Sequence, residues 1–167
     1  MLVCKTQRLR LRWITDDDAA FLVALFNEPD WIKYIGDRNV HSLEDARAYI
    51  AKKLHPSYEK DGYGFFLVET LASQTPVGIS GFFQRDGLDA PDVGFAFLSE
   101  HCHQGYAFEA TQACLEVAKG TFKIERMLAI TQANNPASIR LLEKLGLVFE
   151  KMIELDSEEL QLFAAKL

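Results

Sequence analysis

The sequence predicts an α/β fold of the α+β kind, with a mixed, mostly antiparallel sheet of about seven strands and four helices on its faces. Apolar residues alternate at strand spacing in seven short stretches and recur at helical spacing in four others. The elements follow in the order β α α β β β α β α β β, without a linker, repeat or low-complexity tract. The 167 residues are 49% hydrophobic, so we expect residues 1–167 to form one domain with a full core.

The first strand is predicted at residues 8–13, where leucine and tryptophan alternate with Arg8, Arg10 and Arg12, which face outward or meet carboxylates. Two helices follow, each opened by a variant capping box: Thr15 with Asp18, and Ser42 with Asp45. The first helix is expected to stop near Pro29 and the second at His55-Pro56, because a residue before proline avoids helical backbone. Between them, Trp31 and Tyr34 either line a pocket or pack into the core.

The remaining elements alternate between strands and helices. Strands are predicted at 64–70, 76–84 and 93–98, which read as an antiparallel meander. Later elements are a strand at 127–131, a helix at 136–145 stopped by Gly146, and strands at 148–155 and 160–166.

Residues 92–120 combine a short strand, a glycine turn and a helix that begins after Gly105 and stops near Gly120. The start of a helix exposes backbone N–H groups without intrahelical partners, and the macrodipole adds partial positive charge there. This segment therefore predicts an anion site suited to phosphate.

Composition excludes several classes of protein. A net charge of −6 argues against bulk binding to nucleic acid and weakly favours a cationic partner such as an amine. The three cysteines show no CxxC spacing, and no apolar run has the length of a membrane span or a secretory signal. We therefore expect a cytoplasmic protein without a membrane or nucleic-acid partner. Monomer and homodimer remain open.

Three motifs carry a resemblance to a known family: TQRLRLR, VGFAFLSEHCHQGYAFEA and NPASIRLLEKLGLVFEK. In this order and spacing the chain resembles the GCN5-related N-acetyltransferases (GNAT), in the branch of the ribosomal-protein alanine acetyltransferases. The resemblance implies the GNAT fold and an acetyl-CoA-dependent transfer of an acetyl group to a primary amine. The acceptor would be a protein N-terminus or a small molecule. No metal is expected to take part, because the sequence lacks a complete set of metal ligands.

The resemblance also implies a cofactor site. The family pattern is Arg or Gln, two variable residues, Gly, one variable residue, then Gly or Ala. Here Cys102 replaces the Arg or Gln, and the backbone N–H groups are expected to hold the diphosphate in spite of this change. The residues implied to bind the cofactor are Phe97, Leu98, Ser99, Cys102, His103, Gln104, Gly105, Tyr106, Ala107, Asn135 and Ser138.

Asn135 precedes Pro136 and is predicted to be a helix N-cap. By resemblance it also contacts the pantetheine arm of the cofactor and contributes to catalysis. Ser138 is implied to protonate the departing thiolate, because Leu142 stands where many relatives carry an acidic tyrosine. Water is the alternative proton donor.

For direct transfer, a strand N–H near Phe97 or Leu98 is the expected oxyanion donor. Candidate bases for the amine are Glu69, Glu100 and His101, of which His101 has the ordinary pKa best suited to the task. A solvated or packing role is open for each of the three, since orientation of the substrates can supply much of the rate.

Other hypotheses for this segment have less support. A zinc clip of His101, Cys102 and His103 lacks a fourth ligand nearby. A covalent acetyl-Cys102 intermediate would need a lowered thiol pKa at the helix start. A non-catalytic acyl-CoA sensor remains the alternative function, and a nucleotide-binding regulator would need more glycines and a ribose-binding carboxylate.

Overall fold

The computed structural model describes residues 1–167 and contains one eight-stranded sheet in the order β1-β2-β3-β4-β5-β6-β8-β7. All neighbouring strands are antiparallel except β5 and β6. The strands are β1 (Leu2–Lys5), β2 (Leu9–Trp13), β3 (Phe65–Thr70), β4 (Pro76–Phe83), β5 (Asp92–Phe97), β6 (Arg126–Thr131), β7 (Val148–Leu155) and β8 (Glu158–Lys166). The predicted mixed, mostly antiparallel sheet is confirmed, with β1 as an additional edge strand.

The helices are α1 (Ala19–Phe26), α2 (Pro29–Tyr34), α3 (Leu43–Tyr49), α4 (His55–Asp61), α5 (Tyr106–Gly120) and α6 (Pro136–Lys144). A π-helical segment, Ile50–Leu54, joins α3 to α4 without a break. Both predicted capping boxes are present. The short helix α2 was not predicted. Within it, Trp31 is buried and stacks on Phe26, which places its ring in the core, whereas Tyr34 is half-buried.

The prediction that the second helix ends at His55-Pro56 is wrong, because helical backbone continues to Asp61. Pro56 lies in the first turn of α4, where its missing N–H costs little. Buried side chains recur every four residues along the continuous helical stretch formed by α3, the π segment and α4: Ala46, Ile50, Leu54 and Tyr58. A four-residue step in an α-helix overshoots one turn by about 40°. The wider π turn compensates for this drift and keeps all four side chains on the core.

The arginines of β2 form ion pairs with carboxylates, which was one of the two arrangements predicted for them. Arg12 pairs with both oxygens of Asp18 at 2.8 Å and with Glu69, while Arg10 also pairs with Glu69. Burial raises the pKa of Asp18, but the hydrogen bonds from Arg12 and Thr15 outweigh it and leave that pKa below its usual range. The network ties the start of α1 to the sheet.

The two parallel strands at the centre of the sheet touch at one position only. β5 and β6 pair at Asp92 and Leu128 and then separate, so the sheet opens toward the carboxyl ends of both strands. The chain enters α5 after β5 and α6 after β6, which brings both helix N-termini to this open end. In sheets of this kind, ligands bind beyond the carboxyl ends of parallel strands.

The buried carboxyl group of Asp92 is expected to make the free energy of unfolding depend on pH. Burial raises its pKa to about 6, although Arg85 opposes the shift. The folded value therefore exceeds the unfolded value of about 4, and stability present below pH 4 is lost as the pH rises through 6. We expect the free energy of unfolding to fall across this interval by roughly 2 kcal/mol more in the parent than in Asp92→Asn. Urea titrations across the pH range measure this difference, and identical profiles would contradict it.

Candidate active site

The loop that enters α5 presents a row of unpartnered backbone amides. The N–H groups of residues 104–108 make no hydrogen bond within the protein, and no side chain caps the helix. His103 and Gly105 adopt left-handed backbone, with φ of 60° and 81°. His103, Gln104 and Gly105 are exposed, and Tyr106 and Ala107 are half-buried. The amides and the positive end of a 15-residue helix together can hold a phosphate group.

The open groove between β5 and β6 supplies a second set of polar groups. Leu98 N–H donates to the Val77 carbonyl at 3.0 Å, so this amide belongs to the sheet and is occupied. Successive N–H groups in an antiparallel strand point to opposite sides. Phe97 N–H therefore points away from β4 and toward the groove. Of the two amides considered as oxyanion donors, Phe97 is the one that faces the groove.

At the start of α6, the predicted N-cap is confirmed. Asn135 Oδ1 accepts a hydrogen bond from Ser138 N–H at 3.2 Å, and Pro136 is the first helical residue. The Ser138 side chain is half-buried, and its hydroxyl makes no hydrogen bond to another protein group. Leu142 is buried at 1% exposure and packs in the core. Ser138 therefore provides a hydroxyl group in the first turn of α6, whereas the second turn, which contains Leu142, has no hydroxyl group.

An acidic cluster faces the end of β5 from the segment that opens α2. Glu28 Oε1 lies 3.4 Å from Ser99 Oγ and 3.5 Å from Ser99 N. Burial, followed by the charges of Asp30 and Glu28, raises the pKa of the Cys102 thiol. The covalent hypothesis requires a lowered pKa at Cys102, and burial and the two carboxylates shift this pKa in the opposite direction. The same two carboxylates create a field that attracts a cation.

The structure separates the three candidate bases. Glu69 is buried at 4% side-chain exposure and held by Arg10 and Arg12, so it belongs to the network of β2. Glu100 is exposed, and His101 lies 3.6 Å from it in the short turn after β5. His101 is therefore the one candidate that combines partial burial with a position beside Ser99 and Cys102. No three His, Cys, Asp or Glu side chains gather where they would hold a metal ion.

Sequence reasoning missed two residues of this region. Arg8 lies against the loop, where its Nη1 donates to the Gln104 carbonyl at 2.8 Å, and Glu28 lies against Ser99. Both contacts span more than 70 residues of sequence, so no local pattern marks them. A cavity of about 550 Å³ lies elsewhere, against β7 and the loop before β5. That cavity contains none of the predicted site residues.

Comparison with known proteins decides the family. Residues 8–148 match the model of the acetyltransferase (GNAT) domain. The chain belongs to the GNAT acetyltransferase family. It is an acetyltransferase, and the family uses acetyl-CoA. The sequence-based assignment to this family is confirmed.

Individual GNAT relatives agree with the assignment. An uncharacterised N-acetyltransferase of Bacillus subtilis strain 168, YoaA, is 29% identical over 86% of this chain and 81% of its own. A GNAT acetyltransferase from Bacillus anthracis superposes with a TM-score of 0.82 and 26% identity, over 99% and 98% of the two chains. The Vibrio fischeri ribosomal-protein-S5-alanine acetyltransferase gives 0.82 at 17% identity, over 99% and 96%. The fold is thus shared with the ribosomal-protein alanine acetyltransferase branch.

Proposed function

We propose that this GNAT protein transfers the acetyl group of acetyl-CoA directly to a primary amine. The observation that carries the proposal is the row of five unpartnered amides at the start of α5, beside the open groove between β5 and β6. The amides suit the diphosphate of the cofactor, and the groove suits its extended pantetheine arm. The thioester would then lie near Phe97 N–H, at the end of β5.

The charges around the end of β5 support an amine as the acceptor. Glu28 and Asp30 favour a protonated amine at the mouth of the groove. Glu28 or His101 would take the proton that the ammonium must lose before it can attack. The amine nitrogen then bonds to the thioester carbonyl carbon, Phe97 N–H stabilises the oxyanion, and the C–S bond breaks. The leaving thiolate takes a proton from Ser138 or from water, and that donor is restored by the second proton, which the amine nitrogen loses as it becomes the neutral amide.

The test mixes the protein with acetyl-CoA and a panel of amines while free thiol is followed. The panel contains peptides with a free N-terminus, amino acids, polyamines and aminoglycosides. We expect at least one amine to release thiol and to gain one acetyl group by mass spectrometry. The alternative, an acyl-CoA sensor without activity, predicts tight binding of acetyl-CoA and no thiol release with any amine. Absence of both binding and release would overturn both functions.

Ser138→Ala tests the proton donor. If the hydroxyl protonates the thiolate, kcat should fall about tenfold, and up to ~100-fold for full general-acid catalysis, with little change in KM for acetyl-CoA. The interaction strengthens as charge develops on sulfur, so the loss appears in kcat. Steady-state kinetics and a melting curve on the same variant decide the matter. A lower melting temperature with unchanged kcat would remove Ser138 from the mechanism and leave water as the donor.

A further inference from the structure

Arg8, which lies between β1 and β2, contacts Glu109 of α5 through both its side chain and its backbone. Its Nε donates to Glu109 Oε2 at 2.7 Å, and its backbone N–H donates to Glu109 Oε1 at 2.8 Å. Thr6 Oγ1 donates to the same carboxylate at 2.5 Å. Glu109 stands in the first turn of α5 and is mostly buried, with 17% of its side chain exposed. Three donors thus fix the Glu109 carboxylate, and its hydrogen bond with Nε holds the Arg8 guanidinium against the helix.

The fixed guanidinium then holds the loop itself. Arg8 Nη1 donates to the Gln104 carbonyl at 2.8 Å, and the guanidinium lies 4.8 Å from the centre of the Tyr106 ring. A Cβ on Gly105 would stand 3.2 Å from Arg8 Nη2, so the guanidinium lies directly beside that residue. The carbonyl and the N–H of a trans peptide point in opposite directions. Holding the Gln104 carbonyl therefore directs Gly105 N–H away from Arg8.

We propose that Arg8 is a positioning residue for cofactor binding, which acts with Glu109 and Thr6 to fix the amides of residues 104–108 for the cofactor diphosphate. The inference rests on the proposed binding of acetyl-CoA at this loop. The loop has two left-handed residues and few internal hydrogen bonds, so its conformation depends on support from outside. An amide row fixed before binding loses less conformational entropy when it holds a ligand.

The test compares Arg8→Ala and Arg8→Lys with Arg126→Ala. Arg126 is a matched control, because it also forms an ion pair with a glutamate, Glu150 at 2.8 Å, and is 43% exposed against 45% for Arg8. Calorimetry should show the Kd for acetyl-CoA rising about tenfold in Arg8→Ala, the loss expected for a charge-assisted hydrogen bond. Arg8→Lys should lie between, since lysine lacks the planar fork that reaches two acceptors. Arg126→Ala should stay within about twofold of the parent.

A second substrate separates positioning from general damage to the fold. S-acetylpantetheine carries the thioester without the diphosphate, so its kcat/KM should be equal in Arg8→Ala and the parent, whereas kcat/KM for acetyl-CoA falls. Equal losses with both substrates, or a Kd in Arg8→Ala equal to that of Arg126→Ala, would overturn the role of Arg8. A parent that does not bind acetyl-CoA would overturn the proposed function and this inference together. If the parent binds acetyl-CoA and Arg8→Ala binds it equally well, only the inference about Arg8 is overturned.

Discussion

Gly105→Val should weaken the binding of acetyl-CoA about 100-fold, which corresponds to roughly 3 kcal/mol. Gly105 has a φ of 81°, a backbone conformation that a β-branched side chain rarely adopts. Its Cβ would also press on Arg8 Nη2 at 3.2 Å. The substitution would turn the peptide planes on both sides of residue 105 and so disperse the row of amides. Calorimetric titration with acetyl-CoA measures the loss directly.

Gly146→Val is the matched control for this variant. Gly146 has a φ of 88° and ends α6, and nothing lies within 4 Å of a Cβ placed on it. The strain of a left-handed valine, about 1–3 kcal/mol, should lower the stability of both variants to a similar extent. Only Gly105→Val should lose cofactor binding. A folded Gly105→Val protein with the Kd of the parent would show that the amides of this loop do not hold the cofactor.

Gly81→Ala should destabilise the fold by at least about 4 kcal/mol, a loss reached only where the surroundings cannot yield. A Cβ on Gly81, in β4, would stand 2.0 Å from the Gly64 carbonyl oxygen and 2.7 Å from Phe65 Cα. Both obstacles are backbone atoms at the start of β3, Gly64 being the residue just before it, so relief requires the chain there and β4 to move apart. Urea unfolding of parent and variant measures the cost.

Gly94, which faces Gly81 across β4 and β5, provides the comparison. A Cβ on Gly94 would meet the outer edge of the Phe65 ring at 3.2 Å and the Phe83 ring at an ordinary contact distance of 3.8 Å. A ring edge can shift by tenths of an ångström, so Gly94→Ala should cost less than about 1.5 kcal/mol. Equal destabilisation by the two substitutions would contradict the argument from close backbone approach.

The elements that sequence analysis predicted correctly are those with local signals. The capping boxes at Thr15 and Ser42, and the N-cap at Asn135, each depend on residues within one helical turn. The glycine turn before α5 likewise needs only the change from strand to helical period at Gly105. Local chemistry decides these positions, so tertiary contacts did not overturn the predictions.

The features that sequence analysis missed depend on residues far apart in the chain. Pro56 predicted a helix end, but the burial of Leu54 and Tyr58 on either side of it keeps the backbone helical. The contacts of Arg8 with Glu109 and of Glu28 with Ser99 join segments 101 and 71 residues apart. A single sequence contains no periodicity that pairs such positions. The arrangement of the candidate site therefore became visible only in the three-dimensional structure, although the sequence alone had indicated most of the candidate residues.

The one pair that joins β5 to β6 bears on how long the protein survives. The strands pair only at Asp92 and Leu128. The sheet therefore consists of a block of five strands and a block of three, with few hydrogen bonds between the two blocks. A ligand that fills the gap would touch both blocks, and it would raise the free energy of unfolding by about 2.7 kcal/mol at a concentration of 100 Kd. Since proteases cleave opened chains, acetyl-CoA bound in this gap as proposed would protect the enzyme from proteolysis and lengthen its lifetime.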